Sequence, residues 1–136
     1  MSEEIGFEAI LTLPYDDAIE QVTAALKTEG FGVLTRIDVK ATLKEKLGVD
    51  FRPYIILGAC NPPLAYRSLS QDPLVGLMLP CNITVEEPEP GSAIVRIANP
   101  ETMMTIGELH ENPALVEVAQ EARSRLQRVI ERLHAL

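Results

Sequence analysis

The chain has 136 residues, the size of one ordinary domain, and its 46% hydrophobic and 24% charged residues support a packed core and exclude a disordered chain. Aromatic residues make up only 4% and tryptophan is absent, so that core is aliphatic. A net charge of −8 repels phosphate backbones and argues against nucleic acid as a partner, and no apolar run approaches the length of a membrane span.

Residues 5 to 12 alternate Ile5, Phe7, Ala9 and Leu11 against polar or small neighbours, the pattern of a half-buried strand. Pro14 then opens a helix whose first turn holds Asp16 and Asp17, where acidic side chains suit the helix dipole. Ala18, Ile19, Val22, Ala25 and Leu26 form its apolar stripe, and Gly30 supplies the left-handed stop. Residues 31 to 39 predict a second strand. A short helix follows, capped by Asp38, with Leu43 and Leu47 as its apolar edge and Gly48 as its end. Residues 52 to 60 predict a third strand, broken by Pro62 and Pro63. A short helix capped by Asn61 comes next, with Leu64, Ala65 and Leu69 facing inward.

The apolar run from 74 to 87 predicts a long fourth strand, in which Pro80 must occupy a bulge or a position with no ladder bond to donate. A turn at EPEPG leads to a fifth strand over 92 to 100, and a short helical or irregular piece follows. Asn112-Pro113 then marks the start of a last helix reaching Leu133, with Leu115, Val118, Ala119, Ala122, Leu126, Val129 and Leu133 on its apolar face. Links this short favour an antiparallel meander. The expected fold is α+β: a single two-layer domain over residues 1–136, with a mainly antiparallel sheet, β-α-β(4)-α order and a long C-terminal helix.

The cationic residues Arg36, Lys40, Lys44, Lys46 and Arg52, and Arg123, Arg125, Arg128 and Arg132, are interleaved with Asp and Glu and read as solvated faces. The N-terminal MSEEIGFEAI has no signal-peptide apolar core, so the chain reads as soluble and cytoplasmic, without membrane partners and with reduced thiols.

GFGVLTRIDVKATLKEKLGVDFRPYIILGACNPPLAYRSL, followed by GLMLPCNITV, resembles the family catalogued as domain of unknown function 302. The Gly30-Phe31-Gly32 turn, the run Gly58-Ala59-Cys60-Asn61-Pro62 and the run Leu79-Pro80-Cys81-Asn82 are its most specific parts. The resemblance covers nearly the whole chain. It implies a TATA-binding-protein-like β-α-β(4)-α fold, often seen as a dimer, and so a homodimer is expected. It carries no activity, and the fold class does not imply DNA binding.

The only cysteines, Cys60 and Cys81, are each followed by asparagine and stand beside a proline. They lie 21 positions apart, yet antiparallel strands joined by a short helix would bring the end of one to the start of the other. The candidate ligand-binding group is therefore Cys60, Asn61, Cys81 and Asn82, with Tyr66 and Arg67 over them. Three chemistries fit: a nucleophilic thiol with its resolving partner, its thiolate favoured by Arg67 or the helix start; a soft-metal site at Cys60 and Cys81; or a disulfide, which a reducing compartment disfavours. Against these stands the reading that both thiols are small buried hydrophobes.

No zinc-ligand spacing, phosphate loop or serine elbow is present. His110, Ser68 and Ser70 stand outside any recognisable constellation, and Met103 and Met104, weighed as extra donors to a soft metal such as Cu(I), read rather as packing a helix edge. The leading expectation is a small binding protein for a thiol-reactive molecule, a sulfur species or a soft metal. The alternative is a dimeric interaction or scaffold module with core cysteines. An enzyme comes third, and no cofactor is identified.

Overall fold

The computed structural model describes residues 5–136. Five strands form one sheet: β1 (Gly6–Leu11), β2 (Gly32–Asp38), β3 (Tyr54–Cys60), β4 (Cys81–Glu89) and β5 (Ser92–Ala98). Their spatial order is β1-β5-β4-β3-β2, and every neighbouring pair is antiparallel. The helices are α1 (Tyr15–Thr28), α2 (Val39–Leu47), α3 (Pro62–Gln71), α4 (Pro100–Met103) and α5 (Pro113–His134). Although β1 and β2 flank α1 in sequence, they form the two opposite edges of the sheet, so that connection crosses its full width.

Two layers result from the period of each element. Alternate strand positions Leu57, Ile83, Val85, Val95 and Ile97 are fully buried on one face. Val22 and Leu26 of α1, and Leu126, Val129 and Leu133 of α5, cover that face as part of the same core cluster. Burying each such side chain contributes about 1.5–3 kcal/mol, which makes these two helix faces the main source of stability. The expected α+β two-layer architecture is the one observed.

Several expected caps form. Asn61 accepts from the Leu64 amide at 3.3 Å, Asp38 from Ala41 at 2.9 Å and Asn112 from Ala114 at 3.0 Å. After α1, the Gly30 amide donates to Lys27 and the Phe31 amide to Leu26, and Gly30 takes a φ of 83°. This double closure needs a left-handed residue, which only glycine supplies without strain.

Three local expectations fail. Residues 74–79 are not strand: Pro73–Met78 is a 3-10 turn, capped by Asp72 accepting from Leu74 at 2.9 Å, and β4 begins only at Cys81. Pro80 thus precedes the strand and interrupts no ladder. On α3 the inward positions are Leu64 and Ser68, while Leu69 is exposed, because Ser68 stands one turn beyond Leu64 and donates its hydroxyl back to the Leu64 carbonyl at 3.0 Å. On α2 nothing is fully buried, and Leu47 is exposed.

Candidate functional site

One end of the sheet gathers the C-terminal end of β3, the start of β4 and the C-terminal end of β5, with α3, α4 and the first half of α5 packed around them. A cavity of about 100 Å3 lies there. Its space comes from small side chains. Ala59 of β3, Ala98 of β5, Ala65 of α3, and Ala119 and Ala122 of α5 all line it. Leu64, Leu79 and Val118 complete the apolar wall. All five sulfur-bearing residues among those described, Cys60, Cys81, Met78, Met103 and Met104, line this cavity.

The cysteines meet the cavity without meeting each other as a pair. β3 and β4 are registered so that Ala59 opposes Cys81 and Gly58 opposes Asn82. Cys60 is therefore one position out of step with Cys81, so the two side chains leave the sheet on opposite faces and border the cavity separately at the strand ends. Both thiols are free. The paired-cysteine arrangement expected from the sequence is corrected accordingly: the strands are neighbours, but the register separates the side chains. Cys81 also lacks the character of a nucleophile. Burial, and then the proximity of Cys60, pushes its thiol up to about 11.

The rise from 9.0 to about 11 leaves about 100-fold less thiolate at pH 8 than an ordinary cysteine would have. Alkylation of Cys81 by iodoacetamide, followed by peptide mapping, is expected to be slowed by about that factor and to keep accelerating towards pH 11. A rate that levels off below pH 9 would contradict this placement of the thiol.

Asn61 is at the cavity but its side chain is already engaged. While its Oδ1 caps α3, its Nδ2 donates to the Glu29 carbonyl at 3.2 Å, which also accepts from Arg125 at 3.1 Å. A side chain on Gly30 would place its Cβ 2.9 Å from that same Nδ2. The Gly30-Phe31-Gly32 turn and the Cys60-Asn61-Pro62 run are thus two halves of one junction. Asn82 lines the cavity and also a groove on the sheet face opposite α1 and α5.

Tyr66 and Arg67 do not stand over this site, contrary to expectation. Tyr66 is 76% exposed, and Arg67 reaches α5, donating to Glu121 at 3.0 Å with Glu117 at 3.8 Å. Both border a separate shallow groove between α3 and α5. Arg67 is therefore not placed to favour a thiolate at either cysteine. The two glutamates draw it to a partner helix that follows it by some fifty residues, a distance at which spacing carries no signal.

Sequence reasoning missed Met78, set Met103 and Met104 aside as helix-edge packing after weighing them beside a soft metal, and placed Ala119 and Ala122 on the apolar face of α5 without the space they leave. A signal for the methionine and alanine placement was available. Met103 and Met104 follow β5, whose end returns to the start of β4, and the apolar stripe of α5 narrows to alanine at Ala119 and Ala122.

The outer sheet face carries a second feature. Glu86 is only 4% exposed and is bonded by Arg52 at 2.6 Å and by Arg96, which also donates to Glu8 at 2.9 Å. Burial alone would raise the Glu86 carboxyl, but the hydrogen bonds from Arg96 and Arg52 outweigh it and hold the group below its ordinary value.

Among the described residues, no group of three or more His, Cys, Asp or Glu side chains is placed to hold a metal ion, and no helix is long and apolar enough to cross a membrane. No curated protein matches the chain. A solved structure described as an uncharacterized conserved protein DUF302 from Bacillus stearothermophilus is similar to it, with 34% identity over 93% of this chain and 96% of that one and a TM-score of 0.81. The family model for Domain of unknown function DUF302 matches residues 7–133, and the chain belongs to that family.

Proposed function

We propose that the chain is a small-ligand-binding module whose site is the sulfur-lined cavity at the Cys81 end of the sheet. The observation that carries this reading is the convergence of Cys60, Cys81, Met78, Met103 and Met104 on one cavity of about 100 Å3. Thioethers and a protonated thiol are polarisable and weakly polar, so they favour soft or apolar species over strongly hydrated ones. The volume is below that of an ordinary drug-sized pocket, roughly 300–1,000 Å3, and suits an occupant of one to a few heavy atoms. A thiol–disulfide reaction between Cys60 and Cys81 is not part of this reading, since their register opposes it.

The test uses methionine methyl signals as reporters of occupancy. In protein carrying carbon-13 methionine methyls, pressurised xenon is expected to shift Met78, Met103 and Met104. Ala122→Leu, which fills the space, is expected to abolish the response while leaving the protein folded. Absence of any methionine shift in the wild type would show that the cavity admits no guest, and the reading would be lost.

A further inference from the structure

The geometry points to a binding site for a soft, closed-shell monovalent cation of the Cu(I) class, formed by the Cys81 sulfur together with the thioethers of Met103, Met104 and Met78. This names the ligand class of the cavity and rests on the reading of that cavity as a binding site.

Donor chemistry comes first. Methionine thioether selects soft cations such as Cu(I), whereas zinc sites are completed by cysteine, histidine or carboxylate and hard divalent ions take oxygen donors. The residues lining the cavity include no histidine, aspartate or glutamate. Its two asparagines are Asn61 and Asn82, and the Asn61 side chain is committed to the α3 cap and the Glu29 carbonyl. The described residues offer no alternative cluster of three His, Cys, Asp or Glu donors.

Charge balance then decides the valence. Cys60 and Cys81 are the only lining residues with an acidic proton, and their register keeps them from acting as a pair. A divalent ion held by Cys81 alone would leave a net positive charge among alanines and leucines, and such an uncompensated buried charge is costly. A monovalent ion is neutralised by one thiolate. The binding step balances accordingly: the sulfur–hydrogen bond of Cys81 breaks, its proton passes to water, and a sulfur–metal bond forms, with no change of oxidation state. The thioethers add donor atoms without adding charge.

The placement of the methionines supports capture. Met103 and Met104 are adjacent at the end of α4, and Met78 packs against the same buried cluster that holds Met104. Methionine has three rotatable side-chain bonds, so these donors can close on an ion without moving the backbone. Met103 and Asn82 line both the cavity and the groove on the outer sheet face, where Tyr54 and Arg96 also stand. The groove and the cavity adjoin at Met103, Asn82 and Ala98.

The experiment is an anaerobic, chloride-free titration with Ag(I), a redox-inert probe of the same charge and softness, followed by native mass spectrometry and the methionine methyl spectrum. One tightly held equivalent is expected, with Met103, Met104 and Met78 methyls shifted. Cys81→Ser is expected to weaken binding at least 100-fold, and the double variant Met103→Leu with Met104→Leu at least 10-fold, while Cys60→Ser stays within about threefold of wild type. Equal affinity for Cys81→Ser and wild type, or silver bound with the methionine methyls unmoved, overturns the inference. Xenon response without silver binding overturns the cation assignment alone; silence to both probes overturns the cavity reading as well. If Cys81→Ser proves unfolded, the methionine variant and the wild-type methyl shifts decide the matter.

Discussion

Glu86→Ala is expected to cost about 3 kcal/mol of stability, read from the midpoint of urea unfolding. Removing one member of a buried, hydrogen-bonded charge set typically costs about 3–5 kcal/mol, because the partner is left desolvated and unpaired. The side chains of Arg52 and Arg96 are 44% and 35% exposed, so water compensates them in part and the lower end of that range applies. Arg96 also keeps its bond to Glu8, the residue directly opposite it on β1.

The same group sets an acid limb. Its folded-state pKa lies below the ordinary carboxylate value, so its contribution is complete above that value. It is then lost as pH falls through the folded-state pKa. Wild-type stability should drop more steeply below about pH 4 than that of Glu86→Gln, which keeps the shape without the titration. Identical acid limbs in the two proteins would remove Glu86 from this role.

Gly58→Ala is the second large effect, expected at about 2 kcal/mol. In a strand, alanine ordinarily gains about 0.4–1 kcal/mol over glycine by restricting the unfolded chain. Here the added Cβ would lie 2.7 Å from Cγ of Pro80 and closer still to the Thr35 hydroxyl. Overpacking of this kind typically costs about 1–3 kcal/mol, and a proline ring cannot rotate out of the way as a flexible side chain can, so the clash outweighs the entropy gain. Thr35 also sits beside the register shift in the β2–β3 pairing, which fixes where its side chain falls on Gly58. Pro80 and Leu79 both border the cavity, so the variant should also weaken the xenon response. A variant as stable as wild type, with an intact response, would mean that Pro80 yields at little cost.

The fold was largely legible because its punctuation is local. Asn61 with Pro62, Asn112 with Pro113, Asp38 and Gly30 each act within four residues of themselves, and a capping side chain or a positive φ is written in the residue type. The start of β4 was illegible for the complementary reason. Residues 74–79 are apolar enough for a strand, but the Asp72 cap and Pro73 commit them to a tight turn, and composition does not separate those outcomes.

At the site, adjacency of the strand ends was readable but register was not. One step along β3 decides whether a thiol shares a face with Cys81, and that step depends on pairing between β3 and β4. The methionine contribution was hidden by a different route, since it depends on α4 and α5 closing over the sheet end from far along the chain.

The placement of α1 bears on the order in which the molecule can assemble. Each edge strand has one partner: β1 pairs with β5, and β2 pairs with β3. A chain made from its N-terminus therefore holds both outer strands in its first 38 residues, before any strand they pair with exists. From β2 onward each strand pairs with the next, so β2, β3, β4 and β5 can form as one meander in chain order, and the β2 margin is complete once residue 60 has been added. β1 is the exception: the first strand made waits for the last, and its margin closes only when residue 98 has been added.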